Sequence, residues 1–168
     1  MKVLVTGANR GIGLEYCKQL VARGDKVIAV CRQPSHDLSQ LDLRVEKGVN
    51  IAKPALIEDL VKRLDGEKID LLINNAGILQ RESLDEMSFE QIEEQFRVNA
   101  LGPLRMTYAL LPFLNEGAKI AMMTSRMGSI GDNTSGSRYG YRMSKTALNM
   151  ASVSLAYDLK PRGISVAI

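Results

Sequence analysis

Tryptophan is absent from this chain of 168 residues, and histidine and cysteine are nearly so: His36 is the one imidazole, Cys17 and Cys31 the two thiols. Each shortage closes a route to function. One histidine without any Cys-x-x-Cys spacing gives no ligand set for a structural zinc ion. A Ser-His-Asp triad would rest on His36, in a polar stretch beside Pro34. The two cysteines read as buried small hydrophobes rather than as a disulfide. No apolar run approaches the ~18 residues of a spanning helix, and the start MKVLVTGANR lacks the apolar region and cleavage site of a signal peptide. A membrane partner is not expected, and the expected compartment is the cytoplasm. Charge excludes little more than nucleic acid: 22 Lys and Arg against 19 Asp and Glu leave a net +3, scattered without a basic stripe or interleaved aromatics.

What is present is a globular composition, 45% hydrophobic and 24% charged, enough for one domain over residues 1–168. Apolar runs alternate with amphipathic ones. Val3–Val5, Val27–Val30, Arg44–Ile51, Ile69–Ile73, Lys119–Met123 and Ile164–Ile168 read as strands; Gly13–Ala22, Leu56–Leu64, one or two helices in Phe89–Phe113, and Tyr141–Leu159 read as helices. Only about a dozen residues separate Arg32 from Arg44, so the second crossover holds at most a short helix within His36–Leu41. The pattern predicts an α/β fold, a Rossmann-like doubly wound parallel sheet with helices on both faces in three layers.

Two local patterns carry chemistry. Thr6-Gly7-Ala8-Asn9-Arg10-Gly11-Ile12-Gly13 follows the first strand and opens the first helix. There Gly7 permits a tight turn, Gly11 lets backbone approach a pyrophosphate, and Gly13 lets helix and strand pack closely, with the positive end of the helix dipole at the loop. The G-x-x-x-G-x-G spacing departs from G-x-G-x-x-G and lacks the Gly-Lys-Ser/Thr ending of a P-loop, which disfavours a kinase or NTPase. In Tyr141-Arg142-Met143-Ser144-Lys145, a phenol and an amine stand four residues apart on one helix face. A neighbouring cation favours a phenolate, which suits proton transfer.

Together with Asn74-Asn75-Ala76-Gly77 after a strand, Asn99 and Ser125, these motifs resemble, in order and spacing across the whole chain, the classical type of the short-chain dehydrogenase/reductase family. The stretch SRMGSIGDN before YGYRMSK is similar to its branch of C-factor-like and sniffer-like carbonyl reductases. By that resemblance Tyr141 is the acid/base, Lys145 supports it and holds the nicotinamide ribose, Ser125 orients a carbonyl and Asn99 organises a proton-relay water. It implies cofactor contacts from Gly7, Asn9, Arg10, Gly11, Ile12, Gly13, Arg32, Asn50, Ile51, Asn75, Ala76 and Gly77, with Tyr141 and Lys145. Two positions depart from the pattern. Ser125 stands sixteen residues before Tyr141 and the rival Ser129 twelve, and the family's usual spacing falls between them. Asn50 replaces the aspartate that accepts from an adenine amine, a role its amide oxygen can fill.

The second strand ends Val30-Cys31-Arg32 with no acid, and Arg10 adds a second guanidinium, so NADP(H) is the expected cofactor and no metal is expected. The expected activity is NADPH-dependent reduction of a ketone or aldehyde, with a small-molecule carbonyl or alcohol as partner. Apolar faces on the helices around Asn99–Leu114 and Tyr141–Leu159 predict a homodimer or homotetramer. The family's substrate-covering segment and last strand normally follow the point at which this sequence ends, so the alternative is an NADP(H)-binding sensor or signalling protein without efficient catalysis.

Overall fold

Val3-Leu4-Val5 is apolar at consecutive positions, as a strand covered on both faces must be. In the computed structural model, which describes residues 1–168, it lies within β1 (Lys2–Thr6), inside a six-stranded parallel sheet. From there α1 (Gly11–Ala22) leads to β2 (Lys26–Val30), α2 (His36–Ser39) to β3 (Arg44–Glu46), and α3 (Pro54–Arg63) to β4 (Ile69–Asn74). Next, α4 (Phe89–Phe96), a π-helical turn over Arg97–Leu101 and α5 (Gly102–Leu110) lead to β5 (Leu114–Met122), and α6 (Tyr139–Leu159) to β6 (Ser165–Ala167). The order β3-β2-β1-β4-β5-β6 is that of a doubly wound Rossmann-like sheet, as the alternation of apolar runs predicts.

Alternate side chains of each strand enter different cores. Leu4, Ile28, Leu72 and Ile120 meet Met106 and Leu110 of α5 and Leu148 of α6 on one face. Val3, Val5, Ala29 and Ile73 meet Leu14, Cys17 and Leu20 of α1 on the other. Both thiols are free and buried.

Two expectations need correction. The strand expected over Arg44–Ile51 stops at Glu46, because Gly48 takes a left-handed φ of 78° and turns the chain back so that Val49 N–H donates to the Cys31 carbonyl at 3.1 Å. The stretch Phe89–Phe113 holds two helices, within what the pattern predicts, divided by the π turn at Arg97–Leu101. The second starts at Gly102, where a Cβ would stand 2.7 Å from Ile51 Cδ1. Finally, β5 begins at Leu114, well before Lys119, through an irregular register opposite Ile69 and Leu71.

At the amino-terminal edge of the sheet, charges are paired. Asp70 accepts from Lys2 N–H at 2.7 Å and from Asn115 Nδ2 at 2.6 Å. Glu67 pairs with Lys2 and with Arg44 at 2.8 Å, and Asp25 with the chain's amino terminus at 2.8 Å. These hydrogen bonds hold the Asp25, Glu67 and Asp70 carboxyls below their ordinary pKa.

The chain turns outward in opposite directions from β1 and β4, which pair side by side. An open α/β sheet has its ligand crevice at the carboxyl ends of two such strands.

Candidate active site

The turn after β1 is shaped by glycine and fastened by Thr6. Gly7 has φ 67°, and a Cβ on it would fall 2.8 Å from Ala76 Cα, so only glycine allows the turn to close against the loop after β4. Thr6 Oγ1 accepts from Asn75 N–H at 3.0 Å and Ala76 N–H at 3.1 Å. In return Asn75 Nδ2 donates to the carbonyls of Thr6, 3.0 Å, and Gly7, 3.2 Å. A Cβ at Gly13 would lie 2.2 Å from the Gly7 carbonyl oxygen and 2.5 Å from Asn75 Nδ2. Close packing at Gly13 is thus helix against loop rather than helix against strand.

This clamp walls a cavity of about 420 Å³. All twelve of the positions expected from the loop and strand ends line it: Gly7, Asn9, Arg10, Gly11, Ile12 and Gly13; Arg32, Asn50 and Ile51; Asn75, Ala76 and Gly77. Val30, Val49, Ile78, Glu94 and Val98 complete the lining and escaped the sequence reading. Val30 ends a strand, a signal that could have found it; the others arrive through tertiary packing. Asn50 needs a correction in detail: its Oδ1 already accepts from Ala52 N–H at 3.0 Å, which leaves one lone pair for a ligand.

The electrostatics of the cavity are one-sided. α1 begins without a side-chain cap and without an acid in its first turn, so the N–H groups of Gly11, Ile12 and Gly13 have no protein partner. Neither Arg10 nor Arg32 is in an ion pair, whereas the carboxylates of the opposite edge are. Such a helix end with free guanidiniums is a ready anion site.

Gly77 joins this cavity to a second group of residues. Where its Cβ would be, Asn99 Oδ1 is 3.2 Å away and Lys145 Nζ 3.7 Å. Asn99, inside the π turn, clasps Ile78 from both sides, accepting from its N–H at 2.8 Å and donating to its carbonyl at 2.8 Å. Its Nδ2 also reaches Ser144 Oγ at 3.1 Å. Lys145 is 4% exposed, donates to the Met123 carbonyl at 2.6 Å and stands 5.7 Å from the centre of the Tyr141 ring. Burial pushes its ammonium pKa down to about 8. The Tyr141 hydroxyl has no protein hydrogen-bond partner.

The two candidate serines part company. Ser125, just past β5, is half-buried, and its Oγ accepts from Met127 N–H at 3.2 Å, leaving its own proton free. Ser129 is exposed and lines a separate outer cavity with Met143 and Met150.

Comparisons with known proteins agree with this architecture. The family model for short chain dehydrogenase matches residues 1–168. The 1-hydroxy-2-glutathionyl-2-methyl-3-butene dehydrogenase of Rhodococcus sp. (strain AD45) is 42% identical over 166 residues, 98% of this chain and 74% of that protein. The C-signal protein of Myxococcus xanthus is 50% identical over 98 residues, 56% of this chain and 59% of that protein. Among solved structures, the NADPH-bound carbonyl reductase from chicken fatty liver superimposes with a TM-score of 0.86 at 33% identity, covering 98% of this chain and 76% of that one. Sheet order, glycine turn and matched length lead to one assignment: the chain belongs to the short-chain dehydrogenase/reductase family of oxidoreductases.

Proposed function

We infer that the protein reduces a ketone or aldehyde to an alcohol with NADPH, and that Tyr141 delivers the proton. The observation that carries this reading is the junction at Gly77: a cavity with free helix N–H groups and two unpaired guanidiniums meets the Tyr141/Lys145 pair there. The cavity suits a dinucleotide, with the Gly11–Gly13 N–H groups for its pyrophosphate, Ile51 and Val98 beside its adenine, and Arg10 and Arg32 for a ribose phosphate. When bound, a reduced nicotinamide supplies a hydride to the carbonyl carbon.

The chain's own residues handle the oxygen. Ser125 and Tyr141 each keep an O–H without a protein acceptor, and two such donors can hold a carbonyl oxygen as negative charge develops on it. As the carbon takes the hydride, the Tyr141 O–H bond breaks and its proton passes to that oxygen, forming the alcohol. Lys145, fixed by the Met123 carbonyl, keeps a cation beside the phenol and so favours the phenolate left when the proton has gone. Asn99 fixes Ile78 and so the wall between the two halves of the site. The named activities of the Rhodococcus dehydrogenase and the chicken reductase, an alcohol oxidised and a carbonyl reduced, are the two directions of this chemistry.

The test is NADPH consumption with a panel of simple ketones and aldehydes, comparing the unmodified protein with Tyr141→Phe. Turnover that falls by about 10² to 10⁴ in the variant, with NADPH affinity retained, is the expected result. Near-normal turnover in Tyr141→Phe would remove the catalytic assignment. Tight NADPH binding without turnover of any carbonyl would favour a signalling role instead, of the kind the name of the Myxococcus relative suggests.

Assembly forms part of the proposal. Met143, Met150 and Tyr157 recur every seventh residue along α6 and are 49%, 68% and 75% exposed; Tyr108 of α5 is 76% exposed. Such a stripe suits pairing of copies about a two-fold axis, which light scattering would report as a dimer or tetramer.

A further inference from the structure

A second cavity, about 290 Å³, opens beyond the far wall of the first, and no apolar residue lines it. One side is the strap after Ile78, with Arg81, Glu82, Ser83 and Glu86; the other is the turn 135–138 that leads into α6. The two sides are fastened by Arg138 N–H donating to the Glu82 carbonyl at 2.8 Å. Arg142 fixes the turn from behind, donating from Nε to the Gly136 carbonyl at 3.2 Å and from Nη2 to Ser135 Oγ at 3.0 Å.

Three features of this cavity have no structural necessity. Gly136, Ser137 and Arg138 are left-handed in succession, with φ of 62°, 53° and 51°, a conformation that side-chain-bearing residues avoid and that collects where ligands are held. The guanidiniums of Arg81 and Arg138 form no ion pair, although two glutamates line the same space. Glu82 is 2% exposed; its Oε1 accepts from Gln95, and its Oε2 has no hydrogen-bond partner. A buried carboxylate oxygen left unpaired is destabilising unless something donates to it. Two guanidiniums outside any ion pair and a carboxylate with one oxygen unpartnered, all lining one cavity, match a ligand carrying both charges.

We propose that this cavity binds the zwitterionic end of the substrate, an α-amino acid group whose ammonium meets Glu82 and whose carboxylate meets Arg81 and Arg138. A carboxylate accepts two parallel N–H bonds from one guanidinium, and an ammonium is the compact donor that a lone carboxylate oxygen takes. The reach is short. Arg138 immediately precedes α6 and stands three residues before Tyr141, so the subsite adjoins the first turn of the helix that carries the proposed proton donor. On the other side, Ile78 lines the first cavity and Arg81 the second. The inference rests on the reductase reading for the identity of the reacting group, and on the cavity alone for the charged end.

Two measurements in the full-length protein separate these layers. In the first, reduction of a methyl ketone bearing an α-amino acid end is compared with its des-amino keto acid and with the parent ketone carrying neither charge. A preference of about tenfold or more in kcat/KM for the amino acid ketone is expected, shrinking toward parity in Arg81→Leu/Arg138→Leu. Glu82→Gln should erase the preference over the keto acid; Glu82 is buried, and the exposed Arg81 keeps the test open if that variant fails to fold. Equal kcat/KM for all three ketones overturns the subsite and leaves the reductase reading intact. The second measurement follows norleucine, hexanoate and hexylamine by NMR shift titration, without turnover. Saturation by norleucine alone supports the zwitterion subsite, even if no ketone is reduced and the Tyr141 assignment falls. Equal shifts from all three, or none, overturn it.

Discussion

The two edges of the sheet are built from the same residue types and used in opposite ways. At the amino-terminal edge, Lys2 and Arg44 meet Glu67, Lys2 N–H meets Asp70, and the hydrogen bonds on Asp25, Glu67 and Asp70 favour their charged forms. At the carboxyl edge, Arg10 and Arg32 have no carboxylate partner and the first turn of α1 is uncapped. Lys145 is buried with its pKa pushed down to about 8, and Glu82 keeps an orphan oxygen. A fold selected for stability alone would pair both edges. The difference shows where stability has been given up for ligand chemistry.

The largest effect is expected from Tyr141 and Lys145 together. Lys145→Met should lower reduction at least as far as Tyr141→Phe and also weaken NADPH binding, while the double variant should be little slower than the worse single one. Groups that act as a unit lose their function once. Steady-state kinetics of the four proteins check this; losses that multiply would mean that the two act separately.

Next in size is Gly13→Ala. Its new Cβ, 2.2 Å from the Gly7 carbonyl oxygen, must push the glycine loop from its clamp. Cofactor affinity should fall at least about tenfold with a drop in Tm, readable by fluorescence titration and calorimetry. Binding unchanged in this variant would place the cofactor elsewhere.

How these positions became visible differs from one to the next. The glycine turn was legible because its chemistry is local: strand, turn and helix follow one another, and only glycine fits Gly7 at φ 67°. The twelve expected lining positions came from the family resemblance; ten lie in that turn or just past a strand, while Asn50 and Ile51 lie in the turn after Gly48, beyond the end of β3. Gly140 was not legible. A Cβ there would meet Gln95 Nε2 at 2.5 Å and Ile92 Cα at 2.8 Å, contacts between α4 and α6 that no local spacing encodes. The Glu82–Gln95 contact and the left-handed turn at Gly136–Arg138 depend on the same packing. Asn50 shows the limit in miniature: residue type named an acceptor, and only the fold shows Ala52 N–H already on it.

pH should separate the edges with a smaller effect. Free Lys145 loses its proton near 8, so kcat/KM for NADPH should fall as pH rises through that value. Stability moves oppositely: below about 8 the buried ammonium is disfavoured in the folded state, and between 8 and the ordinary lysine value of 10.5 the unfolded chain holds a proton that the folded one has released. Folding should therefore gain with pH across that window, and Lys145→Met should abolish the gain. The amino-terminal edge works at the other end of the scale. Asp25, Glu67 and Asp70 have lowered pKa values, so their contribution is complete above the ordinary carboxylate values near 4 and is lost as pH falls through their folded values. The smallest effect is then Asp70→Asn, expected to lower Tm by a few degrees at neutral pH and to leave kcat untouched. A loss of kcat would mean that the two edges are coupled.

The central claim is that the unpaired cations of the carboxyl edge are a cofactor site, and titration of the protein with NADPH and with NADH tests it most directly. Charge-assisted contacts to one phosphate contribute roughly 1.5 to 3 kcal/mol each, so NADPH should bind at least about tenfold more tightly, with Arg32→Asp reversing the order. Equal dissociation constants for the two dinucleotides, or no binding of either, would contradict the account.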